Sequence, residues 1–475
     1  MQKFIFILCL AMLPAAHADV LPAPVAQALK AAGIPVAATA VVVQQVEASS
    51  PSVAVNARVA MNPASTMKLV TTFAALELLG PAYTWKTEAL ASGTLQDGVL
   101  MGDLFLRGGG DPRLTYDQFD RLLRQLRGRG VREIRGDLVL DRSAFAVAES
   151  DPARFDAQPM RPYNVAPDAL LLNFKAVTLR LLPDDEGKAV IVAGEPLSTN
   201  LDIVNQLKLG KATHGNGNGD CGDWRERLRA DTFVHGQTTR LVLTGTYPAD
   251  CGEQRWNIAV QDHPAFVWGV FRQLWGELGG SISGNVRNGE VPAAARLLAG
   301  LPSSTLAEVV RDINKYSNNV MARQLFITLG MESGRRPARA EDGDAAIRGW
   351  LDARGAKIPE LVLENGSGLS RRERISAGSL GQLLQRAWRS AVMPELMSSL
   401  PVAATDGTMK KRLKQNGVAG QAHIKTGSLE GVRSIAGYVL DRSGRRWIVV
   451  FFVNHANAAG AQAAQDALLQ WVYEQ

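Results

Sequence analysis

The stretch Pro63-Ala64-Ser65-Thr66-Met67-Lys68 decides how this sequence is read. A mostly apolar, helix-favouring run follows from Leu69 to Leu79, with Gly80-Pro81 behind it. Proline at a helix start and Gly-Pro past its end are the expected punctuation, so a helix should begin near Ser65. Residues three apart share a helix face, which puts Lys68 within hydrogen-bond reach of the Ser65 hydroxyl. A serine is a weak nucleophile without an adjacent base. A lysine becomes that base when desolvation or a second cation lowers its pKa. The free N–H groups of a helix start favour an oxyanion. Four residues thus hold a candidate nucleophile, a candidate base and part of an oxyanion hole.

Ser-x-x-Lys by itself is common at ordinary helix starts, and two further stretches give it weight. Tyr316-Ser317-Asn318-Asn319 supplies Ser-x-Asn, and His423-Ile424-Lys425-Thr426-Gly427-Ser428 supplies Lys-Thr-Gly. Ser-x-Asn recurs at Ser198 and Ser283, whereas Ser-x-x-Lys and Lys-Thr-Gly each occur once. Their contexts read as a helix start, a loop between helices and a strand, in that order. Gly427 would keep the strand edge open to close backbone approach. His423 lies two residues before Lys425 on the same strand face. It is a rival base without the Asp and Ser order of a histidine triad.

The chain opens with Lys3, an apolar run from Phe4 to Leu13 and Ala16-His17-Ala18. That pattern is a secretory leader with an Ala-x-Ala cleavage site, too short to span a bilayer. We therefore expect export to the periplasm or beyond, with residues 1–18 removed. No later run is long enough for a transmembrane helix. The formal charge is +6, and loss of Lys3 with no acidic residue leaves +5. That excess is spread along the chain, which argues against nucleic-acid binding. Of three cysteines, Cys9 lies in the leader, leaving Cys221 and Cys251. In an exported chain such a pair reads as a disulfide, closing a loop worth roughly 3–4 kcal/mol. The alternative, a metal site, lacks ligand spacing, since His214 and His235 form no cluster.

Between the motifs the texture varies. Val36–Val46 and Val53–Val55 read as paired strands, and Leu95-Gln96-Asp97-Gly98-Val99-Leu100 as a hairpin on an Asp-Gly turn. Arg124-Gln125-Leu126 precedes Ile134-x-Gly136 at the spacing by which Arg272-Gln273-Leu274 precedes Ile282-x-Gly284. This reads as a helix–strand duplication whose halves pair in one small domain. Strand-like runs lie between them, and the Gly- and Asn-rich stretch from His214 to Cys221 reads as a surface loop.

The three motifs resemble the D-alanyl-D-alanine carboxypeptidase/endopeptidase family of low-molecular-mass class C penicillin-binding proteins. Arg107-Gly108-Gly109-Gly110-Asp111-Pro112, Tyr163-Asn164, Ala169-Leu170 and Asn365-Gly366-Ser367-Gly368-Leu369-Ser370 are also similar to that family. Its members often carry Asp where this chain has Asn365. Ser317 follows Ser65 by 252 residues, room for large insertions. The resemblance implies an α/β fold, a serine β-lactamase/DD-peptidase-like domain with two inserted accessory domains. The expected division is peptidase domain 19–84 and 293–475, accessory domain II at 85–164 and 255–292, and accessory domain III at 165–254.

The implied activity is serine-type D-Ala-D-Ala carboxypeptidase, with endopeptidase action on cross-links. The implied partners are peptidoglycan stem peptides and β-lactams, and no cofactor is required. By this resemblance Ser65 attacks, Lys68 takes its proton, and the Ser65 and Ser428 N–H groups form the oxyanion hole. Ser317 relays a proton to the leaving amine, and Asn319 positions Lys68 and the substrate amide. Lys425, Thr426 and Ser428 meet the substrate carboxylate. Two rival readings share the motifs. One is a β-lactamase with fast deacylation, and the other a non-enzymatic penicillin-sensing or wall-binding protein.

Overall fold

The computed structural model describes residues 20–146, 151–184, 188–210, 221–415 and 417–475. The segment expected to be a leader and residues 211–220, with His214, lie outside this range.

One five-stranded antiparallel sheet organises the ends of the chain, in the order Val53–Val55, Thr39–Gln45, Arg446–Asn454, Val432–Leu440 and Ala422–Leu429. The paired valine runs expected at the start are its first two strands, with Val41 opposite Val55. Alternation along Thr39–Gln45 feeds two cores, as a strand with both faces covered requires. Ala40 and Val42 join the core formed with helices Lys68–Leu79, Leu306–Lys315, Asn319–Glu332, Ala340–Ala353 and Ala377–Trp388. Val41 and Val43 face the core shared with helices Ala23–Ala31 and Gln462–Tyr473. The first and last helices of the described chain therefore cover the sheet face opposite the motifs.

The segment between the first and second motifs forms separate sheets. A five-stranded sheet runs Val286–Asn288, Leu138–Asp141, Leu104–Gly108, Lys86–Ala91 and Arg296–Pro302. The Asp-Gly hairpin forms as expected, with Asp97 at φ 51° and Gly98 at φ 85° joining Thr94–Gln96 to Val99–Met101. Both central residues are left-handed, as a two-residue hairpin loop demands. The duplication is visible as pairing. Helices Tyr116–Gly128 and His263–Glu277 lead into strands that lie parallel, with Ile134 opposite Ile282 and Val139 opposite Arg287. Two three-stranded sheets make up the rest, Val190–Glu195 with Val177–Pro183 and Gln254–Ile258, and Leu201–Gly210 with Thr238–Pro248 and Leu228–His235. Cys221 and Cys251 are bonded there, beside buried Trp224 and Tyr247.

We keep the division into a peptidase domain and two accessory domains as a proposal. Two strands bear on its edges. Gln254–Ile258 runs across the expected boundary at 254/255 and pairs with Val177–Pro183. Arg296–Pro302, expected in the peptidase domain, pairs with Lys86–Ala91.

Candidate active site

The helix expected from Ser65 begins three residues later. Ala64–Met67 is a 3-10 turn, and the α-helix spans Lys68–Leu79. The tighter turn brings positions i and i+3 still closer to eclipse. Lys68 Nζ accordingly lies 2.9 Å from Ser65 Oγ. Ala64, just before Ser65, has φ 45°, an unfavourable conformation for alanine. It is held by a web of polar contacts. The Asn62 side chain accepts from Ala64 N–H and donates to the Ser370 carbonyl. The hydroxyls of Thr66 and Ser434 both donate to the Pro63 carbonyl, at 2.7 and 2.6 Å. Strain fixed by its surroundings is what a preorganised site looks like.

Fold contacts bring the other motifs to this turn. Asn319 opens the helix Asn319–Glu332, and its Oδ1 accepts from Lys68 Nζ at 2.6 Å. Ser317, in the preceding loop, has φ 56° and accepts from Lys425 Nζ at 2.8 Å. Lys425 is buried on the edge strand Ala422–Leu429, and Ser428 of the same strand is exposed. A methyl group on Gly427 would come within 2.8 Å of Ser65 N and 2.2 Å of Ser434 Oγ, so only glycine lets this strand pass the Ser65 backbone. Thr426 donates to the hydroxyl of Thr408, 2.7 Å away on the loop after the helix Met393–Ser399.

Both lysine side chains are fully buried. Burial holds Lys68 well below the usual lysine range, the positive charge of Lys425 lowers it further, and Glu373 opposes them. Burial alone lowers Lys425 to about 7. These are the conditions that make a lysine a base. His423 is half-buried with Nδ1 3.3 Å from the Met397 carbonyl, and among the described residues no hydrogen bond joins it to Ser65.

Several neighbours carry no signal in the sequence. Glu373 sits in a charged run, Arg371-Arg372-Glu373-Arg374, that reads as a solvated turn, yet it is fully buried behind the glycine loop. Lys315 is buried too, and its ammonium bonds Asp406 at 2.6 Å and the Leu400 carbonyl. That pair ties the Thr408 loop to the turn carrying Ser317. Phe155, from the inserted segment, packs against Ala64 and Leu369, with the Arg371 guanidinium 5.1 Å over its ring. Phe155, Arg323, Asn365, Leu369 and Arg371 line a cleft of about 1000 Å³. Asn365 accepts from the Ser367 N–H and hydroxyl and donates to the Leu369 carbonyl, a role in loop geometry that needs no charge. Among the described residues no cluster of His, Cys, Asp and Glu could hold a metal ion.

A serine bonded to a buried lysine, with a second buried lysine–serine pair close enough for its charge to act on the first lysine, defines a serine acyl-transfer hydrolase. The sequence matches the D-Ala-D-Ala carboxypeptidase 3 (S13) family over residues 21–475, and the chain belongs to that family. It is 30% identical over 426 residues to a D-alanyl-D-alanine carboxypeptidase of Actinomadura sp., covering 86% of this chain and 76% of that one. It is 27% identical over 401 residues to the D-alanyl-D-alanine carboxypeptidase DacB of Haemophilus influenzae, covering 83% of this chain and 80% of that one. The crystal structure of penicillin binding protein 4 (dacB) from Haemophilus influenzae superposes with a TM-score of 0.79 at 24% identity, over 95% of this chain and 99% of that one. The expected fold, a DD-peptidase-like α/β domain with inserted segments, is the one observed.

Proposed function

We propose that the chain removes the terminal D-Ala from peptidoglycan stem peptides, and cleaves D-Ala cross-links, through an ester on Ser65. The observation that carries this reading is the double contact of Lys68 Nζ, with Ser65 Oγ and Asn319 Oδ1. Ser65 Oγ attacks the carbonyl carbon of the penultimate D-Ala as Lys68 takes its proton. The N–H groups of Ser65 and Ser428 receive the negative charge that develops on the carbonyl oxygen. Ser317, bonded to Lys425, passes a proton to the departing amine. Asn319 orients Lys68 and the substrate amide. Lys425, Thr426 and Ser428 meet the terminal carboxylate, with Gly427 leaving room for the substrate backbone. Water then attacks the ester and regenerates Ser65 with no cofactor. β-Lactams present a strained amide to the same serine and acylate it.

Among the described residues no helix is long and apolar enough to cross a membrane. Export by a cleaved leader remains part of this proposal, with the cell wall as the place of action.

The test is mass spectrometry of purified muropeptides incubated with the protein. Loss of a terminal D-Ala and splitting of cross-linked dimers give distinct mass changes. Muropeptides left intact, together with fast multiple turnover of a chromogenic cephalosporin, would replace this reading with that of a β-lactamase.

A further inference from the structure

Glu373 is a fully buried carboxylate that the reaction sequence above does not use. Its Oε1 accepts from the backbone N–H groups of Glu364, Asn365 and Gly366, at 3.2, 2.9 and 2.9 Å. Its Oε2 accepts from Gly368 N–H at 2.9 Å. Each of these four partners is a donor. Hydrogen bonds donated to a carboxylate favour its charged form, so this cage of four N–H groups stabilises ionised Glu373. Burial works the other way and pushes the group up.

The turn so gripped is also the wall behind Lys68. The Ser367 carbonyl accepts from Lys68 Nζ, and the Gly366 carbonyl accepts from Thr71 Oγ1, one helical turn beyond Lys68. Gly368 is at φ 79°, and a methyl group there would lie 1.9 Å from the Ala64 carbonyl. The turn, the strained Ala64 and the lysine therefore fit together with no slack.

We propose that Glu373 is the positioning residue for Lys68: it aims the Ser367 carbonyl at the ammonium, and its negative charge governs when Lys68 releases its proton. The inference rests on reading Lys68 as the base. The charged groups facing Lys68 are Lys425 on the edge strand, Arg323 on the helix Asn319–Glu332 and Glu373 itself, and Glu373 alone among them is negative. Arg323 is the other cation that feels Glu373. Glu364, nearby, is engaged by Ser370 and Arg372. Without the Glu373 charge, two cations and burial would act on Lys68 unopposed, and its neutral form would persist to lower pH.

The test is the rate of acylation by a fluorescent penicillin across the acid and neutral range, in wild type, Glu373→Gln, Glu373→Asp and Lys68→Ala. Glu373→Gln should lower the plateau rate by about tenfold or more, because the amide turns a donor toward one N–H and shifts the turn. It should also move the acid limb down by about one pH unit. Glu373→Asp keeps the charge but shortens the reach, so its plateau should fall while its limb stays near the wild-type position. A plateau loss in Glu373→Gln with the limb unmoved would reduce Glu373 to a loop brace and overturn the proposal. An unchanged plateau in Glu373→Asp, or an acid limb moved down by about one pH unit in that variant, would overturn it even if Glu373→Gln failed to fold. Near-normal acylation in Lys68→Ala would instead defeat the reading of Lys68 as the base.

Discussion

The Ser317 hydroxyl accepts a 2.8 Å hydrogen bond from Lys425 Nζ, across 108 residues of sequence. This pair repeats the lysine-to-serine hydrogen bond of Lys68 and Ser65. Each lysine is buried, and the charge of Lys425 disfavours a charge on Lys68. The two lysines are thereby given different tasks. Lys68, lowered by burial and by the charge of Lys425, is suited to take a proton. Lys425, bonded to the Ser317 hydroxyl and to the Thr426 carbonyl at 2.7 Å, is suited to hold a charge toward a carboxylate.

Mutation should separate these tasks. Lys68→Ala should depress acylation at saturating substrate by about 10²–10⁴-fold, the range for a positioned general base. Lys425→Ala should weaken turnover of a D-Ala-D-Ala peptide more than that of an analogue lacking the terminal carboxylate, since the charge-assisted contact exists only in the first. Kinetics on the matched pair decide. Equal losses on both substrates would remove Lys425 from carboxylate recognition.

The same lysine predicts a pH signature. With Lys425 lowered to about 7 in the free protein, its ammonium is lost as pH rises through neutrality. The kcat/KM of the D-Ala-D-Ala peptide should therefore fall on the alkaline side from about pH 7, since it reports the free enzyme. A bound carboxylate favours the charged lysine, so the alkaline limb of kcat should lie at higher pH. Coincident limbs in the two profiles would contradict this.

Gly427→Ala should uncouple fold from acylation. The added methyl meets the backbone of Ser65 and Pro63 at 2.8 and 2.9 Å, and neither can swing aside as a side chain could. We expect about 10²-fold slower labelling of Ser65 by penicillin, the cost of misplacing reacting groups by a fraction of an ångström to an ångström. Circular dichroism should remain that of the wild type. Normal labelling would show that the edge strand does not need to pass so close.

The disulfide should matter for stability and not for chemistry. Cys221 and Cys251 are 30 residues apart and pack with Trp224 and Tyr247, in a core separate from that around Lys68–Leu79. The double variant Cys221→Ser with Cys251→Ser should lose roughly 3–4 kcal/mol of stability in the inserted segment. Denaturant melts check this, and penicillin labelling of Ser65 should persist. Unchanged melts, or two free thiols in protein from an oxidising compartment, would remove the bond from the account.

The sequence by itself determined the chemistry and the scaffold around it. Ser65 and Lys68 are three residues apart, so local backbone geometry alone brings them together, whether the turn is α or 3-10. The valine runs, the Asp97-Gly98 turn and the repeated helix–strand units are likewise local or periodic signals, and each was legible. What only the tertiary structure decided is which distant groups complete the site. Glu373 reads as one charge among arginines, and its burial follows from how the 364–368 turn folds back on Lys68. Thr408 reaches Thr426 from a loop, Ser434 reaches Pro63 from a neighbouring strand, and Phe155 reaches Ala64 and Leu369 from the inserted segment, with no spacing to announce them. The helix start moved by three residues because Ala64 is held at positive φ by Asn62, whose own partners are Ser370 and Asn454, hundreds of residues away. Desolvation, which lowers the pKa of Lys68, is a property of everything packed around it, and no four-residue motif contains it.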